Sequence, residues 1–137
     1  MPRLFALLLL CLTLLTASCK KDSTSPVPEL EGRWDFESCT IYEYSSDDKL
    51  IDQRNWPLPP HYIVFSAGMI TKYDATTNLK NDERPYTHEG NILRYPSFPK
   101  GDLNIVELTT NKLTLLGNKE PNDIPGHYIV AELKHTR

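Results

Sequence analysis

This chain has no helical face. Beyond its first segment, apolar residues recur at every second position, and nowhere at the three-and-four spacing of an amphipathic helix. That absence excludes helical bundles and alternating α/β folds. Cysteine is scarce, three in 137 residues. Cys11 and Cys19 fall in the amino-terminal segment, so Cys39 stands alone in the remainder and no intrachain disulfide is available there. Such a thiol is read as a packed apolar residue rather than a nucleophile. Acidic residues outnumber basic ones, 18 to 15, and no basic stripe is present. Nucleic acid is therefore excluded as a partner. The four histidines, at 61, 88, 127 and 135, have no companion at metal-ligand spacing. His61 and His127 each precede a tyrosine at a strand start and are read as exposed strand-end residues. A Gly-rich phosphate loop and a Gly-x-Ser-x-Gly elbow are missing. Asp47-Asp48, Asp82-Glu83 and Asn122-Asp123 fall in predicted turns without the spacing of a calcium loop. No enzymatic activity, metal or cofactor is expected.

What is present begins with one positive charge, Arg3, and then the run Leu4 to Leu15, mostly leucine. Thr16-Ala17-Ser18 follow, then Cys19. A charge, a short apolar core and small residues make a secretory signal peptide. The run falls short of the roughly 20 residues that span a bilayer. Small residues leading straight into a cysteine resemble the bacterial lipoprotein signal, although Thr16 stands three before the cysteine and the leucine lies one further back. The resemblance implies that residues 1–18 are removed and that Cys19 becomes the lipidated amino terminus. Its acyl chains, palmitate among them, would anchor the protein at about 0.8 kcal/mol per buried methylene. Residues 19–31 are the lipidated cysteine and a tether of Ser, Thr, Pro and charge. Removal of Arg3 with the signal takes the net charge from −3 to −4. The Cys19-Lys20-Lys21-Asp22 start is similar to lipoproteins of the Bacteroidota, in which a lysine and an acid after the cysteine direct surface export. The expected location is the cell envelope, at the outer membrane, on its periplasmic face or at the cell surface.

Residues 32–137 read as one β-domain, large enough for a single core. Gly32 to Tyr44 is extended, with Trp34 and Phe36 on one face and Arg33, Asp35 and Glu37 on the other. Near Ser38-Cys39 the phase switches, which predicts a bulge. Ser45 to Lys49 is a turn. Leu50 to Pro60, with three prolines, predicts an irregular lid-like loop. Strands follow at His61 to Ala67 and Met69 to Ala75, then a polar loop from Thr76 to Asp82. Glu83 to Glu89 and Ile92 to Pro96 form a hairpin through Gly90-Asn91. After a break at 97–101, Asp102 to Thr109 and Lys112 to Gly117 form another about Thr110-Asn111. A loop from Asn118 to Pro125 leads to a last strand, Gly126 to Lys134. The fold class is therefore all-β, an antiparallel meander of about eight strands, which loses its edges by closing into a barrel.

With the strands placed, Leu30-Glu31-Gly32-Arg33-Trp34 is similar to the Gly-x-Trp signature of lipocalins. Val64 to Ile70 resembles the Phe-Ser-x-x-Gly hairpin of bacterial lipocalin-like lipoproteins, and Val106 to Leu115 resembles their second recurring hairpin. The resemblance spans Leu30 to Leu133. It implies a lipocalin-like barrel with Trp34 closing one end. The Thr-Asp-Tyr loop of classical lipocalins is missing, and no sequence remains after the last strand for their carboxy-terminal helix.

Seven tyrosines and Trp56 are many aromatics for so small a domain. Trp34, Trp56, Tyr62, Tyr73 and Tyr95 are the candidate ligand-binding residues, against ordinary cross-strand pairing as the alternative for each. The inward candidates are Trp34, Phe36, Ile63, Phe65, Leu93, Leu113, Leu115, Ile129 and Leu133, with Ala131 the one small member. Side chains so bulky predict a filled lower half and leave an upper half, capped by the Trp56 loop, open to one small ligand. The expected function is non-enzymatic binding of a small apolar or amphipathic ligand at the cell envelope. The alternative is a structural or accessory lipoprotein with a filled barrel that contacts an envelope protein partner.

Overall fold

The computed structural model describes residues 29–96 and 101–137. The signal 1–18, Cys19 and most of the tether lie outside the described residues. Among those described there is no helix; eleven strands form one antiparallel sheet. β1 (Gly32–Tyr44) is its spine. Along one side it pairs with β11 (Tyr128–Thr136), from Asp35 opposite Thr136 to Tyr44 opposite Tyr128. Along the other it pairs first with β3 (His61–Ser66) and then, beyond Thr40, with β2 (Leu50–Asn55). From β3 the sheet continues to β4 (Met69–Asp74) and β5 (Lys80–Pro85). From β11 it continues through β9 (Lys112–Leu116), β8 (Asp102–Leu108) and β7 (Ile92–Arg94) to β6 (Thr87–Glu89). β10 (Glu120–Pro121) and β2 lie off this path.

The two ends of that order, β5 and β6, are separated in the chain by Tyr86 alone. Taken as one kinked strand, 80–89 pairs with β4 through its first part and with β7 through its last. Eight strands then run round, and the sheet is nearly closed into a barrel. The meander expected from sequence is present. Closure withdraws the edges that an open antiparallel sheet would offer to other chains.

Strand parity fills the interior. The predicted bulge lies between Phe36 and Ser38, where the pairing of β1 with β11 shifts register. One extra residue flips every later side chain to the other face. Trp34 before the bulge and Cys39 and Ile41 after it are therefore all buried. A second shift, between Ile105 and Glu107 of β8, leaves Val106 exposed.

The end of the barrel nearest the tether is shut. Trp34 is 0% exposed, and its indole Nε1 donates to the Leu30 carbonyl at 2.8 Å. The Arg137 guanidinium stacks on the indole, 3.9 Å from the ring centroid. Arg137 also donates to the Glu29 carbonyl at 2.8 Å and to the carbonyl of Glu31. Gly32 has φ +111°, a conformation closed to residues with a side chain, and this lets the chain turn beneath Arg137 into β1.

Three sequence expectations change. Leu50 to Pro60 is not irregular throughout, because Leu50–Asn55 pairs with β1. All six residues of β2 are exposed, so no apolar alternation marks it, and the prolines begin only at Pro57. Thr76 to Asp82 is not all loop, since the solvent-facing β5 starts at Lys80. Finally, 83–89 is not one uninterrupted arm of a hairpin: it changes partner at Tyr86, whose N–H donates to the Gly68 carbonyl at 2.9 Å.

Candidate functional site

Trp34, Phe65, Leu93 and Leu113 are fully buried and pack into one cluster. Tyr86 meets Phe65 edge-on at 5.1 Å and extends this cluster. The barrel also holds a cavity of about 360 Å³. Its walls are Ile63 of β3, Ile70 of β4, Leu103 of β8, Leu115 of β9 and Leu133 of β11. The proline loop brings Leu58 and Trp56 to the lining. Trp56 remains 48% exposed, which puts it where the cavity meets solvent. Its N–H donates to the Cys39 carbonyl at 2.8 Å and ties the loop to β1. Trp56 thus stands at the rim of the cavity.

Three basic side chains enter this apolar lining: His61, Lys72 and His135. Each shares parity with the apolar residue two positions away, Ile63, Ile70 or Leu133, and so points inward. His61 and His135 are 8% and 4% exposed. The His61 ring stacks on Phe36 at 4.4 Å, and His135 meets Phe36 edge-on at 5.8 Å and His61 at 6.4 Å. His61 Nδ1 lies 2.8 Å from the Pro59 carbonyl. With the proton on Nδ1 it donates there, and Nε2 is left as an acceptor. His135 Nδ1 is buried with no hydrogen-bond partner. Burial pushes the pKa of His135 down to about 3, helped by the charges of His61 and Lys72. Burial likewise lowers His61, with Lys72 acting the same way and the Pro59 hydrogen bond opposing. Both rings are neutral at pH 7.

Lys72 stands opposite Ile63 on β3 and Asp82 on β5. Asp82 does not pair with it; that carboxylate accepts from Arg84 at 2.8 Å. Among the described residues, no carboxylate forms an ion pair with Lys72. The lining itself contains no acid and no Ser, Thr or Cys among those residues.

Of the five residues expected to bind a ligand, Trp56 and Tyr95 line the cavity. Trp34 does not: it is the plug of the closed end and part of the filled cluster. Tyr62 and Tyr73 do not either. They form a cross-strand pair outside the barrel, rings stacked at 4.9 Å, with the Arg33 guanidinium 3.8 Å over Tyr62. The reason is parity: Ile63 and Lys72 face inward, so their immediate neighbours face out. Cys19 lies outside the described residues. Sequence reasoning missed His61, Lys72 and His135, although parity with their apolar neighbours marked all three. Reading His61 as an exposed strand-end residue is corrected by its burial against Phe36. His127 is also partly buried, its Nδ1 3.6 Å from Glu43 Oε1. None of the family models, curated proteins or solved structures compared with this chain matches it.

Proposed function

We propose that this protein is a lipid-anchored, lipocalin-like lipoprotein of the bacterial cell envelope that binds a small apolar or amphipathic ligand without transforming it. The observation that carries this reading is the cavity of about 360 Å³ inside the barrel. Eight strands enclose a space that is either filled by side chains or able to hold one small ligand. Here part of that space is filled by the cluster around Trp34 and part is left as the cavity. Its volume lies within the roughly 300–1,000 Å³ of small-molecule sites, and its walls are mostly apolar with a few convergent polar groups, as such sites require. The described lining pairs no nucleophile with a base, which favours binding over catalysis. Attachment to the membrane rests on the signal and Cys19, followed by the tether.

An apolar fluorescent probe should bind with micromolar affinity, about −8 kcal/mol. It should change the emission of Trp56, at the rim, more than that of Trp34, in the filled cluster. Probe at 100 times its dissociation constant should stabilise the fold by about 2.7 kcal/mol. Unchanged emission and an unmoved unfolding midpoint at saturating probe would favour the filled accessory barrel instead. Intact mass of membrane-extracted protein should show acyl mass on a chain that begins at Cys19.

A further inference from the structure

We infer that the ligand is a carboxylate with an apolar body of about ten carbons, its head held by Lys72 beside His61 and His135. This deepens the ligand-binding reading above and rests on it.

The first argument is charge. The chain as a whole is acidic, at −3, yet the charge in its cavity lining is the ammonium of Lys72, with no acid among the described residues. A wall of low polarity concentrates the field of such a group on whatever enters. The second argument is an uncompensated ammonium. Lys72 is only partly exposed, lines the cavity with Ile63, Ile70 and Leu133, and has no carboxylate partner among the described residues, while the acid across the strand is engaged by Arg84. A charge drawn out of water is costly unless it is paired. A ligand carboxylate supplies the missing partner and accepts a charge-assisted hydrogen bond, about twice as strong as a neutral one. The third argument is hydrogen-bonding capacity. His135 lines the cavity, and no described residue hydrogen-bonds to its ring. A neutral imidazole has one N–H to donate, and a carboxylate has lone pairs to spare beyond the one taken by Lys72. Size is bounded by the volume: about 360 Å³ lies at the small end of the roughly 300–1,000 Å³ of small-molecule sites, which suits a medium-length chain such as that of a ten-carbon acid.

The test uses the full mature chain carrying Cys19→Ala, so that no detergent competes for the cavity. Decanoate, 1-decanol and decyltrimethylammonium are titrated separately by calorimetry, with Trp56 emission as a second readout. Decanoate should bind at least tenfold more tightly than decanol, and the cation should bind most weakly. Lys72→Met should cost decanoate tenfold or more and leave decanol unchanged, whereas Lys72→Arg should retain most of the preference. If decanol matches decanoate, or Lys72→Met weakens both equally, the cavity binds apolar chains but the carboxylate assignment is overturned. Tightest binding of the cation overturns it as well. If none of the three binds, the ligand-binding reading fails together with the assignment.

Discussion

Mild acid should destabilise this protein through His135. The ring is 4% exposed and has an orphaned Nδ1. Burial, then the charge of His61, then that of Lys72, hold its pKa at about 3 in the folded state against an ordinary 6.5. The folded value is depressed, so the unfolded chain takes up the proton first as pH falls. The stability of the neutral ring is therefore fully present above pH 6.5 and is lost progressively from 6.5 down towards 3. Each pH unit in that window costs about 1.4 kcal/mol, which gives about 2 kcal/mol by pH 5. His61 is pushed down too and acts in the same direction. Asp48, Asp74 and Glu83 are each held below their ordinary carboxylate value, so their stabilisation begins to be lost only below about pH 5, where the unfolded chain starts to protonate them. Urea unfolding at pH 7, 6 and 5 reads the effect as a falling midpoint at constant slope. His135→Leu should remove most of the fall. It should also be neutral or stabilising at pH 7, since no buried nitrogen is then left unpaired. A wild-type midpoint that stays flat from pH 7 to 5, or a fall of the same size in His135→Leu, would refute the assignment of the effect to this ring.

Two further outcomes are expected from the closed end and its turns. Trp34→Ala should cost about 3–5 kcal/mol, because it empties the plug beneath Arg137; an unchanged urea midpoint would mean that the indole does not close the barrel. Ala67 has φ +50° beside Gly68 at +76°, the two-residue turn that prefers Asn-Gly. Ala67→Asn should therefore raise stability by about 1 kcal/mol, seen as a higher thermal midpoint, and a lowered midpoint would contradict the strain assigned to this turn.

The alternation of Trp34 with Phe36, of Ile63 with Phe65 and of Leu113 with Leu115 was enough by itself to require a sheet with one buried face. The turns at Ala67-Gly68, Gly90-Asn91 and Thr110-Asn111 made its strands follow one another as hairpins, and the phase change after Phe36 marked the bulge. These features are local: each depends on residues within a few positions of one another, and a period of two leaves no choice of face once one member is buried. Tertiary structure decided the rest. β2 carries no apolar stripe, so only its pairing with β1 reveals it. The strand 80–89 changes neighbour at Tyr86, a fact set by where β4 and β7 lie rather than by its own side chains. The same bulky inward residues are compatible with a filled barrel or a hollow one, and whether they meet depends on strands distant in sequence. Their convergence fills part of the interior and leaves a cavity in the rest, where β3, β4 and β11 bring His61, Lys72 and His135 together. Parity alone could aim those three side chains inward. Only the closed sheet could bring them to one place, because burial and electrostatic coupling arise between strands and not along them.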